Sequence, residues 1–226
     1  MKKIALIQSN YIPWIGYFAI MNSVDLFIIY ECVQYTKNDW RNRNQIQSID
    51  GRISWLSIPI RKQSMHQEFM NTTVSNHSWA NTHFNKLKHN FTGNKGWLRW
   101  HEEVQLLYAQ AGKLEYLFEI NRIFLNWVIK VIGIRCQIVY LDSYHKFNDP
   151  NERLISILQD YGATHYLSGP AAKSYISPSH FYEAAIDLTF VDYDEIIREM
   201  FIGSVPELPI SILQLILEGK HEFRYN

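Results

Sequence analysis

Three stretches of the chain concentrate side chains that can bind or activate a small ligand, and each follows an apolar run. The first reads Gln8-Ser9-Asn10-Tyr11-Ile12-Pro13-Trp14-Ile15-Gly16-Tyr17, after residues 4–7. The amides of Gln8 and Asn10 both donate and accept hydrogen bonds. A helix beginning near Pro13 would turn unpaired N–H groups and the positive end of its dipole toward a phosphate or carboxylate. The same two amides can instead cap that helix. Gly16 lets backbone or ligand approach closely, and Tyr11 and Tyr17 add aromatic faces. The second stretch follows residues 26–30 and carries Glu31, Gln34, Tyr35, Lys37, Trp40, Arg41, Asn42, Arg43 and Asn44. Arginine and lysine pair with phosphate. In an extended chain Arg41 and Arg43 would point to one side, Asn42 and Asn44 to the other. Glu31 is the candidate base for an amine or hydroxyl, or else the holder of an arginine. The third stretch is Ser168-Gly169-Pro170-Ala171-Ala172-Lys173-Ser174-Tyr175. Its small residues admit a ligand close to backbone amides. It has neither Walker A spacing nor a GxSxG elbow. Ser168 is therefore read as a binding hydroxyl, with Gly169, Pro170 and Tyr175 beside it.

The histidines offer less. His77, His83 and His89 lie six residues apart, which on a helix points them to different sides and does not match HExxH metal spacing. His83 is the best of them for a catalytic role, against a surface or capping role. No metal site is expected.

The elements that must position these residues alternate between strand and helix. Residues 4–7 and 26–30 are continuous apolar runs, so they predict buried strands, with an amphipathic helix over 14–21 between them. Asp25 would close the turn into the second strand. Asp50-Gly51 joins two predicted strands, 40–48 and 52–60, as a hairpin, and 69–74 would add a short strand. Helices follow over 79–89, with Ser78 as N-cap, over 97–109 and over 113–132. A strand over 136–141 leads to a helix over 150–161, capped by Asp149 with Pro150 in first position. Strands over 164–167 and 186–190 and a helix over 211–218, closed by Gly219, complete the reading. This is an α/β chain: a Rossmann-like parallel sheet core with an antiparallel hairpin insertion and a helical subdomain. It reads as a single domain over 1–226, with 1–40 and 133–226 as the α/β core, 41–75 as the hairpin insertion and 76–132 as the helical part. Ligands of open parallel sheets bind outside the carboxyl ends of the strands, where all three stretches would meet.

Composition narrows the partners. The formal net charge is +0, with 22 basic and 22 acidic residues, so no general attraction draws the chain to nucleic acid or anionic membrane. No RNP or KH motif is present. No apolar run approaches a membrane span, and no cleavage site follows the short apolar start. Cys32 and Cys136 stand alone, as in a reducing, cytoplasmic setting. Aromatic residues make up 15% of the chain, a supply for stacking on bases or sugars as well as for a core.

The motifs resemble those of the WbqC-like family of bacterial proteins, found with polysaccharide and O-antigen biosynthesis genes. The family opening similar to QPYFFPYIGYF corresponds to residues 8–18. Its YDDVQYTKxxWxNRNxI pattern corresponds to Tyr30-Glu31-Cys32-Val33-Gln34-Tyr35-Thr36-Lys37-Asn38-Asp39-Trp40-Arg41-Asn42-Arg43-Asn44-Gln45-Ile46. YLSGPxxxxY corresponds to residues 166–175, and the closing SIIDLLFNxG to residues 211–219. Two positions depart: Ser9 replaces the usual proline, and Cys32 replaces the second of two acids, which puts in doubt any metal dependence resting on that pair. The resemblance implies work on an activated amino sugar. Acyl or glycyl transfer to the amine of a nucleotide-linked sugar, in lipopolysaccharide synthesis, is the expectation. Arg41, Arg43 and Lys37 would grip diphosphate. Trp40, Tyr35 and Tyr17 would stack, Glu31 or His83 would take the proton, and backbone near Ser168 would stabilise an oxyanion. The partners implied are a nucleotide sugar and an acyl or aminoacyl donor. Alternatives are an ATP-dependent adenylating ligase, for which ATP would be the cofactor, and a non-catalytic protein that binds a sugar nucleotide or a pathway partner.

Overall fold

The computed structural model describes residues 1–61, 64, 66–145, 147, 149–203, 209–220 and 222–224. Strand β1 (Lys3–Gln8) is the centre of a five-stranded sheet. Helix α1 (Ile15–Asn22) returns the chain to β2 (Leu26–Tyr30), which pairs parallel with β1, Ile4 opposite Leu26 and Gln8 opposite Tyr30. The antiparallel hairpin β3 (Arg43–Gln47) and β4 (Ile53–Ser57) comes next. Helices α2 (Trp79–Phe91), α3 (Lys95–Ala111) and α4 (Leu117–Val131) follow. The chain then re-enters the sheet with β5 (Gln137–Leu141), α5 (Pro150–Asp160), β6 (His165–Ser168), α6 (Pro178–Glu183) and β7 (Asp187–Phe190). The strand order is β5-β2-β1-β6-β7, parallel throughout. Helix α7 (Tyr193–Met200), the short antiparallel pair β8 (Phe201–Ile202) and β9 (Glu222–Phe223), and helix α8 (Ile212–Glu218) finish the fold. Among the described residues no helix is long and apolar enough to cross a membrane.

The period of two along β1 and β2 builds two cores. Ile4, Leu6, Leu26, Ile28 and Tyr30 pack with Leu158 and Phe181, from α5 and α6. Ala5, Phe27 and Ile29 face the opposite layer, made from α1, α3, α4 and α8. Strands buried on both faces read as unbroken apolar runs, which is why 4–7 and 26–30 stand out in the sequence.

Several elements differ from the sequence reading. Helix α1 is not amphipathic: Ile15 through Met21 are all buried. The expected strand over 69–74 is instead a short 3-10 turn, Phe69–Asn71, because the Thr72 hydroxyl donates to the Glu68 carbonyl at 2.9 Å and closes the turn. Helix α4 starts at Leu117, not 113. Ahead of it, Glu115 O accepts from Val74 N, and Leu117 N donates to Thr72 O, both at 2.9 Å, so this backbone is committed to the 72–74 segment. Ser78 makes no side-chain cap; its hydroxyl donates to Asn76 Oδ1 at 2.7 Å. The hairpin strands are shorter than expected, and Arg41 and Asn42 lie in a turn before them. Helices α6 and α7 were not expected, although Pro178 in the first turn and the Asp192 cap mark their starts. Asp149 caps α5 through the N–H groups of Asn151 and Glu152 as read, and Gly219 ends α8 in the left-handed region at φ 62.

The loop after β1 is fixed from two distant segments. Ile12 has φ 40, an outlier for a β-branched residue. Its carbonyl accepts from Asn44 Nδ2 at 2.9 Å and from the Ser211 hydroxyl at 2.7 Å. Asn44 Nδ2 also donates to Tyr11 O at 3.1 Å. Below, the Tyr11 hydroxyl shares hydrogen bonds with His83 Nδ1 and the Tyr108 hydroxyl, each 3.0 Å.

Two outcomes follow. Asn44→Ala removes the donor to Tyr11 O and one of the two donors to Ile12 O, which keeps Ser211, and should destabilise the fold by about 1–3 kcal/mol in denaturant unfolding, the cost of leaving a buried carbonyl unpaired. His83 is buried, and burial pushes its pKa down to about 3. Its contribution to stability is complete above the unfolded pKa of about 6.5 and is lost as pH falls toward the folded value. The C2 proton resonance of His83 should therefore hold still from about pH 8 to about pH 5, through the range where an ordinary imidazole titrates.

Candidate functional site

After β1 the chain adds strands outward on one side (β2, β5) and then crosses to the other (β6, β7). The switch point lies between β1 and β6, the position where open α/β sheets hold ligands. A cleft of about 540 Å³ lies there, lined by Gln8, Tyr30, Arg153, Ser168, Tyr175 and Tyr193 among others. Gly169 lets the Tyr193 hydroxyl approach the backbone: a Cβ there would sit 2.9 Å from it and push that side chain aside. Arg153, from the first turns of α5, donates from Nη1 to the Tyr30 hydroxyl at 3.0 Å. Its Nε is buried with no hydrogen-bond partner among the described residues. The 169–174 turn is poorer in donors than expected. Pro170 has no N–H, and Ala172 N is bonded to Gly169 O at 3.1 Å.

A second cavity, about 520 Å³, adjoins the first and shares Tyr30 and Arg153 with it. Cys32, Gln34, Glu68, Asp142 and Tyr144 contribute to its lining. Asp142 belongs to a three-member charge chain. Glu31 continues the parity of Phe27 and Ile29, which turns it toward the helical layer. There Arg122 Nε, from α4, donates to Glu31 Oε2 at 2.8 Å, and Arg122 Nη2 contacts both Glu31 and Asp142. The guanidinium lies 4.9 Å from the Phe118 ring and 4.6 Å from the Tyr140 ring. Glu31 is wholly buried, and its Oε1 has no hydrogen-bond partner among the described residues. Burial raises its pKa to about 7; Arg122 opposes the rise, Asp142 adds to it, and the nearby Ser9 hydroxyl lowers it slightly. Among the described residues no group of His, Cys, Asp or Glu is arranged to hold a metal ion.

The other candidate residues divide among separate places. Gln8 accepts from Arg41, which also pairs with Asp39. Arg41 is 5% exposed, and burial lowers its pKa to about 10. It braces the sheet edge rather than facing a cavity with Arg43. Arg43 lies over Trp55, 4.4 Å from the ring, and Trp40 packs against the same ring at 5.8 Å. Tyr35, Lys37 and Asn42 line a third cavity of about 450 Å³. Asn10, Trp40 and Asn44 line a small one of about 120 Å³. Gly16, Tyr11, Tyr17 and His83 are enclosed in the core, and Pro170 is exposed at the start of its turn. A wall parts the third cavity from the second. Tyr35 N donates to Gln67 O and Phe69 N to Val33 O, both at 2.8 Å. Gln34 and Glu68 are directly paired and line the second cavity, while Tyr35 and Gln67 line the third.

Arg153, Asp142, Arg122 and Tyr193 escaped the sequence reading. One signal did exist for Arg153. A cation early in a helix opposes the helix dipole, and Pro150 at the start of α5 makes Arg153 such a cation.

The chain matches the WbqC-like protein family over residues 8–204. It belongs to that family. The matched residues take in β2, β5, β6 and β7, the charge chain and the adjoining cavity, while β1 enters the match only at Gln8. The chain is also 36% identical over 219 residues to a Mycobacterium tuberculosis protein described as "Uncharacterized protein Rv1507c", covering 96% of this chain and 93% of that one. No solved structure matches.

The charge chain makes a pH-dependent prediction. A carboxyl whose folded pKa is raised holds its proton where the unfolded chain has lost it, so its stabilising contribution is present below the unfolded value and declines as pH rises to the folded one. Relative to Glu31→Gln, the native protein should lose about 3 kcal/mol between about pH 4.5 and about pH 7. Urea midpoints of the two proteins across that range check it. A constant difference would mean that Glu31 ionises normally.

Proposed function

We propose that this WbqC-like protein is a transferase that acylates or aminoacylates the amine of a nucleotide-linked amino sugar, in the synthesis of bacterial surface polysaccharide. The observation that carries this reading is the cleft of about 540 Å³ at the switch point, whose lining among the described residues holds Arg153 and no carboxylate. A guanidinium on the wall of a cleft without a carboxylate of its own suits a diphosphate, whose oxygens accept charge-assisted hydrogen bonds from arginine. The volume lies within the range of small-molecule pockets. Tyr175 is 58% exposed on the cleft wall and offers a face for stacking. The family resemblance supplies the amino-sugar acceptor and the acyl transfer. Because Glu31 has no exposed surface, it supports the reaction through Arg122 and not by touching the substrate.

Thermal-shift measurements with UDP-glucosamine, UDP, ATP with glycine, and acetyl-CoA test the reading. A ligand at about 100 times its Kd stabilises the fold by about 2.7 kcal/mol. UDP-glucosamine and UDP should raise Tm, and Arg153→Ala should abolish the shift while its own Tm without ligand stays within a few degrees of native. A shift with ATP alone would replace this reading with that of an adenylating ligase. No shift with any nucleotide would overturn it.

A further inference from the structure

The two cavities that meet at Tyr30 and Arg153 differ in charge. Among the described residues, Arg153 is the one charged residue that lines the switch-point cavity. The adjoining cavity carries Glu68 and Asp142, with His66 and His145 also in its lining. A single ligand filling both must place its anionic part at the shared arginine and must keep phosphate away from the two carboxylates, since like charges at short range repel strongly in a partly desolvated site. The part of the ligand that reaches the carboxylates should be cationic or rich in donors. Asp142 is also held in place. Its carboxylate contacts Arg122, whose guanidinium is fixed by the buried Glu31 and flanked by Phe118 and Tyr140. The side chain of Asp142 nonetheless keeps 50% of its surface exposed, so one flank remains open to a ligand.

We infer that the adjoining cavity is the amine subsite: the diphosphate lies at Arg153, the nucleoside end occupies the switch-point cavity, and the ammonium of the sugar is received by Asp142. This assignment rests on the nucleotide-sugar reading above and adds an orientation to it. Asp142 touches the substrate, while Arg122 and Glu31 are positioning residues that act through it. The same arrangement accounts for a feature that substrate contact does not explain, namely a glutamate buried beneath the strand end with no surface of its own. Charge-assisted hydrogen bonds are the strong ones, and their removal reads directly as a change in preference between amine and amide forms of one ligand.

Calorimetric titrations of UDP, UDP-glucosamine and UDP-N-acetylglucosamine at about pH 6.5, where a sugar amine carries its proton, test the assignment. The native protein should bind the amine form about 10-fold more tightly than the acetylated form, as a single charge-assisted bond provides. Asp142→Asn should level the two affinities and leave that of UDP unchanged. Asp142→Glu should restore part of the preference, which a merely structural role would not predict. If Asp142→Asn keeps the preference, or weakens UDP equally, the orientation is overturned. If UDP binds and depends on Arg153 but no form is preferred, this inference fails and the nucleotide reading stands. If no nucleotide binds the native protein, both fail.

Discussion

The open carboxyl edge of the sheet depends on one strained residue. Ile12 is held at φ 40 by hydrogen bonds from Asn44 and Ser211. Strain of this kind costs on the order of 1–3 kcal/mol and persists only where neighbours over-determine it. The neighbours here come from the hairpin base and from the cap of α8. Ile212 N donates to Pro13 O, and Tyr11 N donates to Trp40 O, both at 3.0 Å, so the chain between β1 and α1 is gripped along its length. The loop is thereby folded down into the helical layer, with Tyr11 buried. The edge of β1 beside β6 stays uncovered, and the cleft opens there.

A second constraint is electrostatic. Burying a carboxylate is expensive, and its attraction to a single arginine does not always repay that cost. The Glu31–Arg122 pair illustrates it: the carboxyl remains raised to about 7 despite direct contact with a guanidinium. The arrangement is more intelligible as a mount for Arg122. Phe118 and Tyr140 flank the guanidinium, and Asp142, in the loop after β5, extends the chain of charges to a cavity wall. Loop residues placed by a rigid scaffold are where binding groups concentrate.

Much of this was readable in the chain. The buried strands announced themselves as apolar runs, and Asp50-Gly51, Asp149-Pro150 and Gly219 marked turns and caps that the structure contains. The fold class followed from their order. The roles within the polar stretches did not follow, because residue type does not reveal which partner a side chain meets. Arg41 and Asn44 look like ligand-binding residues, yet one braces Gln8 and Asp39 and the other holds backbone carbonyls. The strand over 69–74 failed because a local Thr72 hydrogen bond competes with extended backbone. Arg122 could not be connected with Glu31 at all, since the two are separated by 91 positions and only the packing of α4 on the sheet joins them.

The wall between the second and third cavities carries a consequence for change over time. Its two strands of backbone alternate their side chains, Gln34 and Glu68 toward one chamber, Tyr35 and Gln67 toward the other. Inserting or deleting one residue within either strand would send each side chain to the opposite chamber. Substitutions can alter one chamber while leaving its neighbour intact, but the length of this partition cannot drift.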